Sequence, residues 1–283
     1  MSNEAAPFVA QHAVPSGVVA TRWWWVRHAP VRNDGGCIYG QTDIGCDTSD
    51  RVVFEAVGKI LPPDAVWYAS NLKRTHQTAE AIWSAGFPRP ERLHHEPAFA
   101  EQHLGQWQGL NRAAFFASRP IAVGSYWFAP IDDRAPGGES FLDLYNRVCG
   151  AIAGINTQHA GKDVIAVAHG GTVKAAIGLA LGGQPERGLA FTIDNCSVTR
   201  LDYLASADHS GWRVPMVNQQ PWIADASHNA MHQPAGPEIA TARCSRRLQK
   251  SCRAMRCGIR AISSARIRPQ KRSGPPDFQS PRT

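Results

Sequence analysis

Five residues of this chain combine types that can do chemistry with similar settings: Arg27, His28, Arg74, Glu101 and His169. Each falls just past a predicted strand or extended segment, and open α/β sheets place ligand-handling residues there. Two arginines, two histidines and one carboxylate suit a phosphoryl group. Guanidinium forks match phosphate oxygens bidentately. A neutral imidazole is a competent nucleophile toward phosphorus, and a cationic neighbour keeps its proton off. A carboxylic acid can protonate a leaving oxygen and later deprotonate water. Taken singly, each residue also has a bland reading. Arg27-His28 could be a chance pair, Glu101 a solvated loop acid, and His169 a satisfied core histidine. The argument rests on the elements that would bring them together.

A short bulky strand over residues 21–26, containing Trp23-Trp24-Trp25, ends in Arg27-His28-Ala29-Pro30. Helical spacing of Val52, Val53, Ala56, Val57 and Ile60 predicts a helix over 50–61, capped by Thr48 or Ser49 and stopped by Pro62-Pro63. A second strand over 65–69 runs into a loop and then a helix carrying Lys73 and Arg74. A short strand near 92–95 precedes the loop that holds Glu101, and 111–118 suggests a short helix. Residues 125–134 read as irregular. Pro136-Gly137-Gly138-Glu139-Ser140 is a turn opening a helix whose Phe141, Leu144, Tyr145, Val148 and Ile152 share one face. A clean buried strand over 163–168 ends in His169-Gly170-Gly171-Thr172, followed by an apolar helix over 173–181. Residues 197–204 give another strand, and Trp212-Arg213-Val214 a last one before Asn218. Strands alternating with helices indicate an α/β domain with a largely parallel sheet.

Composition sets the limits. The apolar fraction of 43% supports a real core, and no run of 18 or more apolar residues predicts a membrane span. The N-terminus has neither the basic start nor the apolar core of a signal peptide. Seven cysteines without a CxxC pair suggest neither a zinc cage nor a disulfide framework, and a reduced cytoplasm is the expected compartment. The formal charge is +7, yet residues 231–283 alone carry twelve Lys or Arg against two acids, so the remainder nets −3. The expected organisation is a flexible arm over 1–20, one folded domain over 21–222, and a basic, disordered tail over 223–283. Only the tail could attract nucleic acid, and a solvated extension is the preferred reading of it. His94-His95 on one strand would face opposite ways, which argues against a metal pair. His76 and His103 would line the pocket or simply pack. Glu139 reads as a helix-start residue, Trp23 to Trp25 as core, and Cys37 and Cys46 as pocket-rim residues without an assigned role.

The chain resembles the histidine phosphatase superfamily, with its phosphoglycerate mutase-like fold. Arg27-His28-Ala29 is similar to the family's Arg-His-Gly signature. The segment from Ser70 to Ala79 is similar to its Ser-x-Leu-x-Arg-(Ala/Thr)-x-Gln-Thr-Ala run. The stretch from Glu101 to Gly109 matches Glu-x-x-x-Gly-x-x-x-Gly, Gly137-Gly138-Glu139-Ser140 matches a turn common in phosphatase members, and Ala168-His169-Gly170-Gly171 matches the second histidine motif. The order and spacing agree across roughly two hundred residues. The resemblance implies a three-layer sandwich around a mostly parallel sheet and a phosphohistidine mechanism. His28 would attack phosphorus; Arg27, Arg74 and His169 would hold its oxygens; Glu101 would act as general acid and then base. It implies no metal and no organic cofactor. Ala29 stands where glycine is usual, which removes backbone freedom and no chemistry.

Within the family, the loop after His28 lacks the Glu-Ser-x-x-Asn run of glycolytic mutases, and the segment from Glu101 to His169 is short for a mutase insertion. Both points favour a phosphomonoesterase acting on a small phosphorylated metabolite. Arg27 to Val31 followed by Ile38-Tyr39-Gly40-Gln41-Thr42-Asp43 is similar to α-ribazole phosphatases of cobalamin assembly, with a broad sugar or nucleotide phosphatase as competitor. A phosphoglycerate mutase-type transferase and a non-catalytic phospho-ligand binding module remain the alternatives, and a homodimer is left open.

Overall fold

Strand β1 (Val19–Arg27) occupies the middle of the sheet, and its tryptophans explain why it is buried on both sides. Side chains alternate across a strand. Trp23 and Trp25 therefore face one layer while Trp24 and Val26 face the other. The computed structural model describes residues 14–119 and 130–224. The remaining expectations, for most of the N-terminal arm, the first half of the irregular segment and nearly all of the basic tail, fall outside those residues.

The other elements are α1 (Arg51–Ile60), β2 (Val66–Ala69), α2 (Lys73–Ser84), β3 (Leu93–His95), α3 (Arg112–Ala117), α4 (Phe141–Gln158), β4 (Asp163–Ala168), α5 (Gly170–Ala180), α6 (Pro185–Leu189), β5 (Val198–Ala205) and β6 (Ser210–Gln219). The sheet order is β3-β2-β4-β1-β5-β6. The first four are mutually parallel, while β5 is antiparallel to β1 and β6 antiparallel to β5. The mostly parallel sheet expected from the alternation is thus present, with an antiparallel margin on one side. Helices cover both faces. One layer packs Phe141, Leu144, Val148 and Ile152 of α4 and the apolar face of α5 against Trp23, Trp25, Val164 and Ala166. The other packs Val53, Phe54 and Val57 of α1 and Ala79 and Ile82 of α2 against Val26, Trp67, Ile165 and Val167. Each such large apolar side chain contributes about 1.5–3 kcal/mol on burial. The stacked Trp23 and Trp25 rings lie 5.2 Å apart, and Phe99 meets Trp25 edge-on at 5.0 Å. That rigid aromatic block supports the end of β1.

Several local expectations change. Asp50, not Thr48 or Ser49, precedes α1, and it makes no side-chain cap; Asp47 instead takes the Ser49 N–H at 2.9 Å. Helix α5 starts at Gly170, three residues earlier than its apolar periodicity suggests, because His169 itself is the cap residue. The short α6 escapes periodicity altogether, although Pro185 at its start was a usable signal. Glu139 does not start α4: Ser140 and Asp143 form a reciprocal capping box there. His94 stacks on Tyr68 at 4.9 Å and His95 meets His76 at 4.7 Å, so the two adjacent rings face different neighbours.

Candidate active site

Because β1, β2 and β4 run parallel and adjacent, their C-terminal ends deliver Arg27-His28, the Ser70 to Arg74 turn and His169 to one place. The chain after β3 adds Glu101. All five residues singled out in the sequence converge.

His28 is buried, with 1% of its surface exposed, and its Nδ1 lies 2.7 Å from the Ala29 carbonyl. A carbonyl only accepts, so Nδ1 carries the proton and the Nε2 lone pair is free. Asn195 donates to the His28 carbonyl at 2.7 Å, and the His28 N–H donates to the Ala168 carbonyl at 2.9 Å. Both backbone groups of the histidine are therefore fixed. The Ala29 N–H donates to Thr78 Oγ1 at 2.8 Å, and Ala29 does not adopt a left-handed backbone. A methyl is tolerated at this glycine-like position because the backbone there is ordinary and the side chain joins the apolar cluster around Val26. Burial and the neighbouring Arg27 and Arg74 cations push the His28 pKa well below its ordinary 6.5, which keeps the ring neutral.

His169 lies 5.1 Å from His28, ring centre to ring centre. Its Nδ1 accepts from Arg74 Nε at 3.2 Å, so its proton is on Nε2, facing Ser70 Oγ at 2.8 Å. Burial and the adjacent Arg74 hold this ring, too, below its ordinary pKa. Arg74 is fully buried and also donates to the carbonyls of Thr42 at 3.0 Å and Gly40 at 2.8 Å. A guanidinium has five N–H donors, so two remain for a ligand. Arg27 donates through Nη1 to the Ile193 carbonyl, while among the described residues its buried Nε has no hydrogen-bond partner.

Glu101 rests against the start of α5. Its carboxylate accepts from the Gln102 N–H at 3.0 Å and, more loosely, from the Gly171 N–H at 3.4 Å. A Cβ on Gly171 would collide with Glu101 Oε1, so the absence of a side chain at 171 makes room for the acid. Gly105 has a positive φ of 44° and sits against the Gly137-Gly138 turn, with Gly138 N 2.6 Å from where a Cβ would be. The Glu-x-x-x-Gly and Gly-Gly-Glu-Ser motifs are thus two halves of one backbone contact.

Sequence reasoning passed over Arg147. This half-buried residue of α4 pairs with Glu139 through Nε at 3.0 Å and Nη2 at 2.6 Å. It also donates to the carbonyls of Ala98 at 2.6 Å, Ala100 at 2.9 Å and Glu101 at 3.0 Å. Glu139 takes the His103 N–H at 2.8 Å as well. The pair clamps the loop that carries Glu101. One charged residue in a long amphipathic helix carries no sequence signal of such a role. Asn195 was missed as well, since a single polar residue in the loop before β5 carries no local signal of a contact to the His28 carbonyl. His76 packs against the His95 ring, and Cys46 lies behind Arg74, 3.3 Å from its carbonyl.

A cavity of about 350 Å³ opens from Arg27 and Glu101 past Ile38, Tyr39, Gln102, Leu104, Trp107, Arg112 and Phe116. A larger one of about 680 Å³ lies at the other end of β1, by Val19, Ile152 and Trp212, and holds no charged side chain. Among the described residues no group of three or more His, Cys, Asp or Glu could hold a metal ion. No described helix is long and apolar enough to cross a membrane.

Comparison with known proteins identifies relatives of the chain. Over 186 residues the chain is 27% identical to 2,3-bisphosphoglycerate-dependent phosphoglycerate mutase 2 of Gloeobacter violaceus, covering 62% of this chain and 82% of that protein. Over 157 residues it is 35% identical to the metal-independent phosphoserine phosphatase of Arabidopsis thaliana, covering 53% of this chain and 64% of that one. The native structure of a mycobacterial glucosyl-3-phosphoglycerate phosphatase superposes with a TM-score of 0.57 at 26% identity, covering 70% of this chain and 99% of that one. An Escherichia coli protein described as a candidate α-ribazole-5'-P phosphatase shares the fold, with a TM-score of 0.56 at 20% identity over 71% of this chain and 97% of that one. Residues 23–220 match the model of branch 1 of the histidine phosphatase superfamily. With that match spanning more than half of its length, the chain belongs to the histidine phosphatase superfamily, branch 1.

Proposed function

We propose that this protein hydrolyses small phosphomonoesters through a phosphohistidine formed on His28. The observation that carries the reading is the His28 tautomer: Nδ1–H is tied to the Ala29 carbonyl, leaving Nε2 as a nucleophile beneath two arginines. In the first half-reaction, Nε2 attacks phosphorus while Glu101, as the acid, gives its proton to the departing alkoxide. Arg27 and the two unused donors of Arg74 hold the transferring oxygens, where charge is greatest in the transition state. His169 accepts a hydrogen bond from Arg74 Nε and so helps fix that guanidinium's orientation, while its own Nε2–H rests on Ser70 Oγ. In the second half-reaction Glu101, now a carboxylate, takes a proton from the water that attacks phosphorus. Phosphate leaves and His28 is regenerated. No step requires a metal or an organic cofactor.

Hydrolysis is favoured over mutase transfer by the loop after His28, which lacks the mutase run, and by relatives named as phosphatases. Among substrates, α-ribazole 5'-phosphate is supported by the likeness of residues 27–43, with sugar and nucleotide phosphates as competitors. The cysteine pattern supports a cytoplasmic setting, and the domain is proposed to end near residue 222 with a dispensable basic tail beyond it. The test is a phosphomonoester panel including α-ribazole phosphate, phosphoserine and 3-phosphoglycerate. It is combined with ³²P-labelled substrate and an alkaline quench, which preserves phosphohistidine. The wild type is expected to release phosphate and carry label. A His28→Ala protein that hydrolyses as fast as wild type would sink the mechanism.

A further inference from the structure

The cavity of about 680 Å³ lies at the opposite pole of the sheet from the catalytic residues. Its floor is the start of β1 with the neighbouring parts of β5 and β6. Thr21, Tyr203 and Trp212 stand there side by side, in register across the three strands. Its roof is the second half of α4. Space is left between them because the facing positions are small: Ala153 and Ala160 on the helix side, Ala205 and Ala207 at the end of β5. Tyr203 and Trp212, both half-buried, make an aromatic wall with ring centres 5.1 Å apart. No charged side chain lines the cavity. Such walls reward a flat, neutral body and give an ion no partner.

One polar group adds direction. Asn156 is 8% exposed and lines the cavity. Its Oδ1 accepts from the Trp23 indole N–H at 2.8 Å. An indole N–H only donates, so this contact assigns the amide, with Nδ2 as the other atom. Trp23 is fully buried and stacked on Trp25, which holds the assignment in place. Among the described residues Nδ2 donates to no protein acceptor. It is not one of the sealed polar atoms, such as Trp25 Nε1, and is open to the cavity. The neighbouring hydroxyls are committed elsewhere. Thr21 Oγ1 takes the Gly161 N–H at 3.1 Å, Thr157 donates to the Ala153 carbonyl at 3.1 Å, and Ser206 donates to the His209 carbonyl at 3.1 Å. Asn156 Nδ2 is therefore a preset donor in an apolar recess, and a ligand acceptor satisfies it.

We propose that this cavity is a second ligand site, for a neutral, flat, ring-bearing molecule whose carbonyl oxygen or ring nitrogen accepts from Asn156 Nδ2. The inference does not depend on the phosphatase reading. The site shares no residue with the catalytic cleft, and the nine residues of β1, about 26 Å in length, run from one to the other.

The test is calorimetry on the full chain with 2-acetylnaphthalene, which carries a flat ring and a carbonyl, and with 2-isopropenylnaphthalene, its isostere without an acceptor. The ketone is expected to bind saturably, one per chain, with a Kd about fivefold below that of the alkene, the worth of one hydrogen bond. Asn156→Asp still accepts from Trp23 but presents no N–H, and should erase that preference. Ala153→Trp, at an exposed helix position, should fill the cavity and abolish binding of both compounds with the melting temperature nearly unchanged. Saturating inorganic phosphate should leave the ketone's Kd unchanged. Lack of saturable binding up to millimolar ketone, equal Kd for ketone and alkene, or a ketone preference that survives Asn156→Asp overturns the site. Competition with phosphate does too, because it places the ligand in the catalytic cleft. Binding that appears only on deletion of residues 1–13 also overturns it, because the chain's own N-terminal segment is then the occupant. If Asn156→Asp fails to fold, Ala153→Trp decides: binding that persists in it refutes the site, and binding that is lost supports it.

Discussion

Replacing Gly171 with Ala tests whether Glu101 acts where the fold puts it. The added Cβ would lie inside the 3.0 Å below which real Cβ contacts do not occur, against Glu101 Oε1, and at 3.0 Å from Leu144 Cδ2. The first obstacle is the end of a flexible side chain, so the fold can yield. Restoring ordinary separation moves the carboxylate by about 1 Å and costs it the weak 3.4 Å bond from the Gly171 N–H. Alanine is favoured over glycine in a helix by up to about 1 kcal/mol, which offsets the squeeze on Leu144, so net stability should change by no more than about 1 kcal/mol. Catalysis should suffer more. A displacement of about 1 Å in a reacting group costs on the order of 100-fold. The assay is kcat for an alkyl phosphate, which needs a proton on its leaving oxygen, against 4-nitrophenyl phosphate, which needs little help. The alkyl ester should slow by about 100-fold and the nitrophenyl ester by roughly tenfold less than that, with the melting temperature nearly unchanged. Equal losses on both esters, or none on either, would refute the placement of Glu101 as the acid.

Arg147→Leu removes both contacts to Glu139 and three to loop carbonyls, leaving a half-buried carboxylate unpaired. A cost of about 3 kcal/mol is expected, read as a melting point lower by roughly 6–12 °C, with kcat falling because the Glu101 loop loosens. Gly105→Ala places a Cβ against the Pro136 carbonyl and Gly138 N, both backbone, at a positive φ. It should destabilise by about 2 kcal/mol or more, which urea unfolding would report. Acidification should weaken the fold below pH 6.5. His28 and His169 resist protonation when folded, so the unfolded chain takes up protons first. The stability they confer is intact above 6.5 and is lost at up to about 1.4 kcal/mol per pH unit per ring as pH falls toward the folded values. Urea midpoints between pH 7.5 and 5 should show this slope, and His28→Gln should reduce it. Asp34, Asp47 and Asp143, all held below 3.8, act in a more acidic window. Turnover should survive a chelator unchanged.

Much of this site was legible before any coordinates. Continuous bulky or apolar runs in β1 and β4 mark strands covered on both faces, and a helical period in α1 and α4 marks one buried face. Five motif residues past strands or extended segments implied a shared crevice; parallel neighbours β2, β4 and β1 bring four of them there, and the chain after β3 adds Glu101. What the linear chain left open were contacts between residues far apart that obey no local period. Arg147 holds the Glu101 loop from a helix 46 residues away. Glu139 reads as a helix start and serves instead as the partner of Arg147. Asn195 fixes the His28 carbonyl across 167 positions. The sequence alone therefore determined which groups could handle a phosphoryl group and which elements carry them. Only the tertiary structure decided the tautomers of His28 and His169, the room Gly171 leaves for Glu101, and the Asn156 N–H left open at the far end of β1. Each depends on which acceptor or donor the fold sets within 3 Å or so, and hydrogen bonding at that range is a property of packing, not of order along the chain.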